Sequence, residues 1–161
     1  MKAVFNSSPL IFLSKLNVLD KVGSLFSKII IPDLVLEEIS HKEDITLDKV
    51  KSLLDLDHVF VTNANNSKMV KVLCEKLGKG ESEAIVLALD NTFDIVILDD
   101  YPARQEALRT GLNVKGTLGI MKRMLDSEMI QYDFDKLYQD LVAMNFRVKR
   151  NIFDQIFDIT I

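Results

Sequence analysis

Histidine and cysteine are scarce in this 161-residue chain, which holds two histidines, His41 and His58, and one cysteine, Cys74. A single thiol excludes an internal disulfide framework and suits a reducing, cytoplasmic compartment; Cys74 reads as core filler. The two histidines lack metal-ligand spacing and sit in polar or strand-edge contexts, so they read as surface residues and argue against a zinc hydrolase or a histidine-based triad. Long apolar runs are missing as well. No segment approaches the roughly 20 residues that span a bilayer, and Asn6, Ser7, Ser8 and Pro9 interrupt the apolar N-terminus before it forms a signal-peptide core. A large excess of one charge is also lacking. The formal net charge of −4 does not advertise nucleic acid, though a local basic strip is compatible with it. Finally, Gly78-Lys-Gly-Glu-Ser lacks the Gly-Lys-Ser/Thr ending of a phosphate loop and has no strand before it, which argues against nucleoside triphosphate binding.

What is there is the composition of an ordinary globular protein: 48% apolar and 27% charged residues, enough core-forming material that disorder is not indicated. The length fits one domain over residues 1–161, with no repeat, linker or low-complexity tract. Short apolar segments at Ala3–Phe5, Ile29–Ile31, Val59–Val61, Asp94–Leu98 and Leu112–Val114 read as strands. Helical patterns separate them, one with Val70, Leu73, Cys74 and Leu77 at i, i+3, i+4 and i+7. Helices also begin near Pro9, Asp33, Thr46, Pro102 and Thr117. Further helical faces carry Phe134, Leu137, Tyr138, Leu141 and Val142, then Ile152, Phe153, Ile156 and Phe157, the last an aromatic stripe suited to core or a dimer contact. Alternation of strand and helix implies an α/β fold with a mostly parallel central sheet.

The stretch from Gly78 to Arg104 carries most of the chemistry. Gly78 and Gly80 break the preceding helix, and Ala84–Leu89 reads as a helix buried on nearly all sides. Glu81 stands at its mouth, on the face of Ala84, Ile85 and Ala88, whereas Glu83 turns away from that face. A carboxylate there either complements the helix dipole or serves a site. Asp99 and Asp100 end the next strand, at the sheet edge where ligands of parallel α/β folds bind; either could instead cap the helix that begins at Pro102. Asn6 at the end of the first strand and Glu38 in the helix after the second complete the group. Oxygen donors without histidine or cysteine suit a hard cation, Mg²⁺ or Mn²⁺, and phosphodiester cleavage is the chemistry such a cation serves.

The order of NSSPLIFLSKL, IIIPDLVLEEI, LGKGESEAIVLAL and IVILDDYPAR resembles PIN-domain proteins, including VapC-type toxins, over almost the whole chain. It is most similar to a PIN-like branch that opens with Asp or Asn, Thr or Ser, then Ser-Pro-Leu-Ile, and later carries Gly-Glu-x-Glu-Ala-Ile. The resemblance implies a three-layer α/β/α sandwich and a metal-dependent endoribonuclease acting on RNA. Its acidic quartet falls on Asn6, Glu38, Glu81 and either Asp99 or Asp100, with Ser7 or Ser8 as the assisting hydroxyl. As partners it implies an antitoxin protein, for a toxin-type member, and a second copy in a homodimer. Asn6 departs from the pattern: an amide oxygen can ligate a cation but brings no charge and accepts no proton. That departure leaves a second reading open, a catalytically weakened PIN-like module that binds RNA or protein, and a third, a metal-dependent phosphoryl hydrolase with a small substrate. Arg104 either faces phosphate or pairs with a carboxylate. Lys115, Lys122, Arg123, Arg147, Lys149 and Arg150 line an RNA groove or form a solvated face.

Overall fold

Short β-branched runs ended by proline, asparagine or aspartate form the strands, and amphipathic segments between them form the helices. The computed structural model describes residues 1–159. Its elements run β1 (Lys2–Phe5), α1 (Ser7–Lys15), α2 (Leu19–Val22), a 3-10 turn (Gly23–Leu25), β2 (Lys28–Pro32), α3 (Asp33–Ser40), α4 (Thr46–Leu54) and β3 (Val59–Thr62). They continue with α5 (Ser67–Leu73), α6 (Lys79–Asp90), β4 (Ile95–Ile97), α7 (Tyr101–Arg109), β5 (Val114–Lys115), α8 (Thr117–Asp126), α9 (Phe134–Ala143) and α10 (Arg150–Ile156).

The strands pair in the order β3-β2-β1-β4-β5, every pair parallel. All five therefore deliver the chain to the same edge. The order reverses between β1 and β4, and the crevice outside that reversal is where ligands bind in open α/β sheets. Strand alternation divides the core in two. Ala3, Phe5, Ile29, Ile31, Ile95 and Ile97 face a layer containing α1, α3, α8 and α9. Val4, Ile30, Val96 and Leu98 face the layer of α6 and α7, where Ala84 through Ala88 are all buried. The result is a three-layer α/β/α sandwich. The C-terminal aromatic stripe packs inward: Phe153 lies 5.3 Å from Tyr138 and 4.7 Å from Phe157 between ring centroids.

Three details differ from the sequence reading. The helix before Gly78 stops at Leu73, because Glu75 N–H and Lys76 N–H bond to carbonyls three residues back and tighten the last turn; Cys74 is consequently half-buried rather than core. The last strand is Val114–Lys115, set by Leu98 N–H donating to the Lys115 carbonyl at 2.8 Å. His58 is half-buried, with Nε2 2.9 Å from the Gly23 carbonyl, whereas His41 is exposed.

Glu83 is a structural carboxylate. It is buried, and its two oxygens accept from the backbone N–H groups of Leu34 (2.9 Å) and Ala64 (3.1 Å). Leu34 lies in the first turn of α3, which has no side-chain N-cap of its own, and Ala64 follows β3. One side chain of α6 thus ties down the chain as it leaves two neighbouring strands. Replacing Glu83 by Ala leaves both donors without partners, and the expected loss in urea denaturation is about 2–4 kcal/mol; Glu83→Gln, which keeps one acceptor oxygen, should fall between.

Candidate functional site

Asn6 sits at the centre of the crevice. It follows β1, its N–H donates to the Ile97 carbonyl of β4 at 3.1 Å, and its side chain is fully buried. Continuing the alternation of β1, Asn6 falls on the side of Val4 and therefore meets α6. Its Nδ2 donates to Glu81 Oε1 at 3.2 Å. Its Oδ1 is buried without any hydrogen-bond donor. An unpaired buried carbonyl oxygen costs roughly 1–3 kcal/mol, so this atom is poised for a partner.

The N-terminus of α6 gathers two carboxylates. Glu81 belongs to its first turn and folds back over Gly78, where a Cβ would collide with Glu81 Oε2. Glu38 arrives from α3 and accepts the Gly80 N–H at 3.1 Å; a Cβ on Gly80 would stand 2.9 Å from both Glu38 oxygens. Gly80 therefore does not break a helix. It lies inside α6 and clears room for an acid from a neighbouring helix, while the unpaired N–H groups and dipole of the helix end favour negative charge.

Asp99 falls on the other side of the alternation, with Ile95 and Ile97, and meets α8. Its Oδ1 accepts the Thr117 N–H at 2.7 Å and its Oδ2 the Thr117 hydroxyl at 2.6 Å. Gly116 clears this approach, since a Cβ there would lie 2.7 Å from Asp99 Oδ1. Burial pushes the Asp99 carboxyl above the usual aspartate range, outweighing the bonds from Thr117 and the nearby Arg104 charge, which act the other way. Arg104 Nη1 donates to the Leu98 carbonyl at 2.9 Å and so braces the strand end. Asp100 caps α7, accepting the Ala103 N–H at 3.0 Å. Ser7 and Ser8 occupy the first turn of α1, half-buried.

The fold thus brings Asn6 and Glu81 into contact and holds Glu38 against the same helix end. Asp99 and Asp100 stand across the crevice, just beyond the end of β4. Among the described residues, no three His, Cys, Asp or Glu side chains stand close enough together to hold a metal ion by themselves. The donor set still fits a hard cation. Mg²⁺ keeps several waters and needs only one or two carboxylates, and the donorless Asn6 Oδ1 beside Glu81 is a hard oxygen in need of a partner. Thr117 and Gly116 escaped the sequence reading as site residues; the Gly-Thr helix start was visible, but nothing local linked it to an aspartate 18 positions earlier. Of the basic candidates, Lys122 is paired with Asp126 and Asp158, Arg150 with Asp135 and Asp154, and Arg123 lies over Phe26.

The DUF3368 family model, a PIN domain, matches residues 2–160. Among solved structures, PAE2754 from Pyrobaculum aerophilum superposes with a TM-score of 0.52 at 14% identity, covering 78% of this chain and 99% of that one. At that identity the likeness speaks for the fold. No curated protein matches the sequence. Among the described residues, no helix is long and apolar enough to cross a membrane.

The raised Asp99 carboxyl gives a pH dependence with a definite sign. The folded protein holds this proton more tightly than the unfolded chain, so the stability penalty of ionising Asp99 is absent below the ordinary aspartate value. It grows as pH rises to the raised value and is complete above it. Asp99→Asn keeps an acceptor for the Thr117 N–H and a donor for its hydroxyl. The metal-free variant should therefore be more stable than wild type at pH 7, with the gain vanishing towards acid pH in urea titrations. Gly80→Ala should leave the melting temperature equal or raised, since Ala gains up to about 1 kcal/mol over Gly in a helix. It should also displace Glu38 and weaken divalent-ion binding by roughly 10-fold or more, as loss of a supporting contact does at metal sites; calorimetric titration with Mn²⁺ measures it.

Proposed function

The chain belongs to the PIN-domain family, whose members are generally nucleases, and on that premise we propose that it is a metal-dependent endoribonuclease using Mg²⁺ or Mn²⁺. The observation that carries the reading is the buried Asn6 Oδ1 without a donor, set beside Glu81 at the crevice where a parallel sheet reverses order. Asn6 and Glu81 would hold the cation, with Glu38 beside them and Asp99 across the crevice. When bound, the cation supplies charge neutralisation on the scissile phosphate and activation of water.

The protein's own groups do the positioning. Asn6 Nδ2 fixes the Glu81 carboxylate, and the Gly80 N–H fixes that of Glu38. Thr117 fixes both oxygens of Asp99, through its N–H and its hydroxyl. Asp100 is committed to its helix cap and is the weaker candidate of the pair. A role as the toxin of a toxin–antitoxin pair, with an antitoxin protein as partner, is supported by the motif resemblance alone.

A second reading is favoured by one specific feature. The Asn6 amide donates to Glu81 and so partly satisfies that carboxylate without any cation, as suits a PIN fold that binds RNA or protein without cutting it. The two are separated by incubating a mixed RNA pool with Mg²⁺ or Mn²⁺ and comparing wild type with Glu81→Gln and Asp99→Asn. The nuclease predicts divalent-dependent cleavage that falls about 100-fold or more in each variant. Absence of cleavage, or equal cleavage by the variants, sinks it. Asn6→Asp sharpens the comparison by placing two carboxylates in contact. It should lower the metal-free melting temperature and enlarge the upward shift produced by Mn²⁺ through binding to the folded state, and a binding-only module would gain no cleavage from it.

A further inference from the structure

A cleft of about 640 Å³ opens beside Asp99, between the start of α7, the β5–α8 corner and the segment leading into α10. Leu118, Val148 and Ile156 give it an apolar floor. Tyr101 stands on its rim, 71% exposed. The backbone that carries the ring is fixed, because Tyr101 begins α7 directly after the Asp100 cap.

The cations around the cleft fall into two groups. Lys122 is taken up by Asp126 and Asp158, and Arg104 by the Leu98 carbonyl. The side chains of Lys115 and Arg147 line the cleft with no hydrogen bond or ion pair to another described residue. The sole acid among the described lining residues is Asp99, which Thr117 holds. Two uncommitted cations converging on one cleft of a protein of net charge −4 select locally for an anion that the molecule as a whole repels.

An exposed aromatic, two free cations, an apolar floor and a volume within the range of small-molecule pockets match one nucleotide. The base must be unpaired, since a base inside a duplex has no face to offer a tyrosine. We propose that this cleft receives one unpaired nucleotide of a single-stranded RNA, its base against Tyr101 and its phosphate on Lys115 and Arg147. The proposal rests on the ribonuclease reading above, and it makes the cleft the subsite that seats the nucleotide next to the scissile phosphate.

The test measures binding apart from cleavage. Fluorescence anisotropy of a labelled single-stranded RNA in EDTA is compared for wild type, Tyr101→Ala, the double variant Lys115→Gln/Arg147→Gln, and Lys51→Gln on the exposed face of α4 as control. Removing the stacking ring should weaken binding about 10-fold, within the range for base stacking on aromatics. The double variant should lower the slope of log affinity against log salt by about 0.7, the value for one phosphate contact on a single strand. Lys51→Gln should bind as wild type.

The proposal is overturned if the variants bind as wild type, or if duplex RNA binds as tightly as the single strand. It also fails if a free nucleoside monophosphate displaces the oligonucleotide at equal concentration, or if an acidic helical peptide binds while RNA does not. The two readings fail separately. Cleavage by wild type with binding unchanged across the variants keeps the nuclease and removes the subsite. Binding lost in the variants, with no cleavage under either divalent ion, keeps the cleft and removes the nuclease.

Discussion

Parallel pairing on both sides of a four-residue strand is the constraint from which the site follows. β1 hydrogen-bonds β2 on one side and β4 on the other, so three strands must end at one edge with their following residues side by side. The strand order reverses between β1 and β4. The helices after these two strands consequently leave on opposite faces, and the space between them cannot be filled by either. Asn6 bonded to the Ile97 carbonyl marks the point where backbone pairing stops and side-chain chemistry begins. The same period of two that buries Phe5 against one layer and Val4 against the other sends Asn6 towards α6 and Asp99 towards α8. The crevice is therefore lined from both layers.

Holding several carboxylates near one another in a partly buried place is unfavourable unless something offsets their charge. Three devices do so here. Backbone N–H groups at helix starts take Glu38 and Asp99, at Gly80 and Thr117. Glycines at 78, 80 and 116 remove the Cβ atoms that would block the approach. The neutral amide of Asn6 replaces a carboxylate at the most buried position and turns what would be a repulsion with Glu81 into a hydrogen bond. The third device lets Asn6 and Glu81 stand in contact without charge repulsion between them. Each glycine is required by what lies beside it rather than by its own backbone angles.

Most of the fold was legible because its strands are short apolar blocks interrupted by Asn6, Pro32 and Asp99, and its helices carry clean apolar faces. Less legible was anything that depended on two distant segments meeting. Gly78 and Gly80 read as helix breakers, since a glycine's local meaning is backbone freedom, whereas their structural meaning depends on where Glu38 and Glu81 arrive. The division of labour between Asp99 and Asp100 was open for the same reason. The capping preference of a carboxylate two residues before a proline is visible in sequence, and Asp100 fulfils it. That Asp99 would be taken by Thr117 is not visible, because nothing in the intervening α7 fixes how far β5 returns.

The contrast between Glu81 and Glu83 shows why a family motif needs the surrounding backbone to be interpreted. Both lie in Gly-Glu-x-Glu-Ala-Ile, two residues apart on one helix, and composition treats them alike. Glu83 spends both oxygens on main-chain donors from two other segments, and moving it would leave those donors orphaned. Glu81, among the described residues, meets one side-chain amide, that of the buried Asn6, and no main-chain donor. A carboxylate with both oxygens held by main-chain donors from two other segments is fixed in place by them. One that meets a single side-chain amide, next to an oxygen that has no donor among the described residues, retains the unmet electrostatic demand that a ligand can satisfy. On that physical ground Glu83 serves the stability of the fold, and Glu81 is the carboxylate of the motif left open to a ligand.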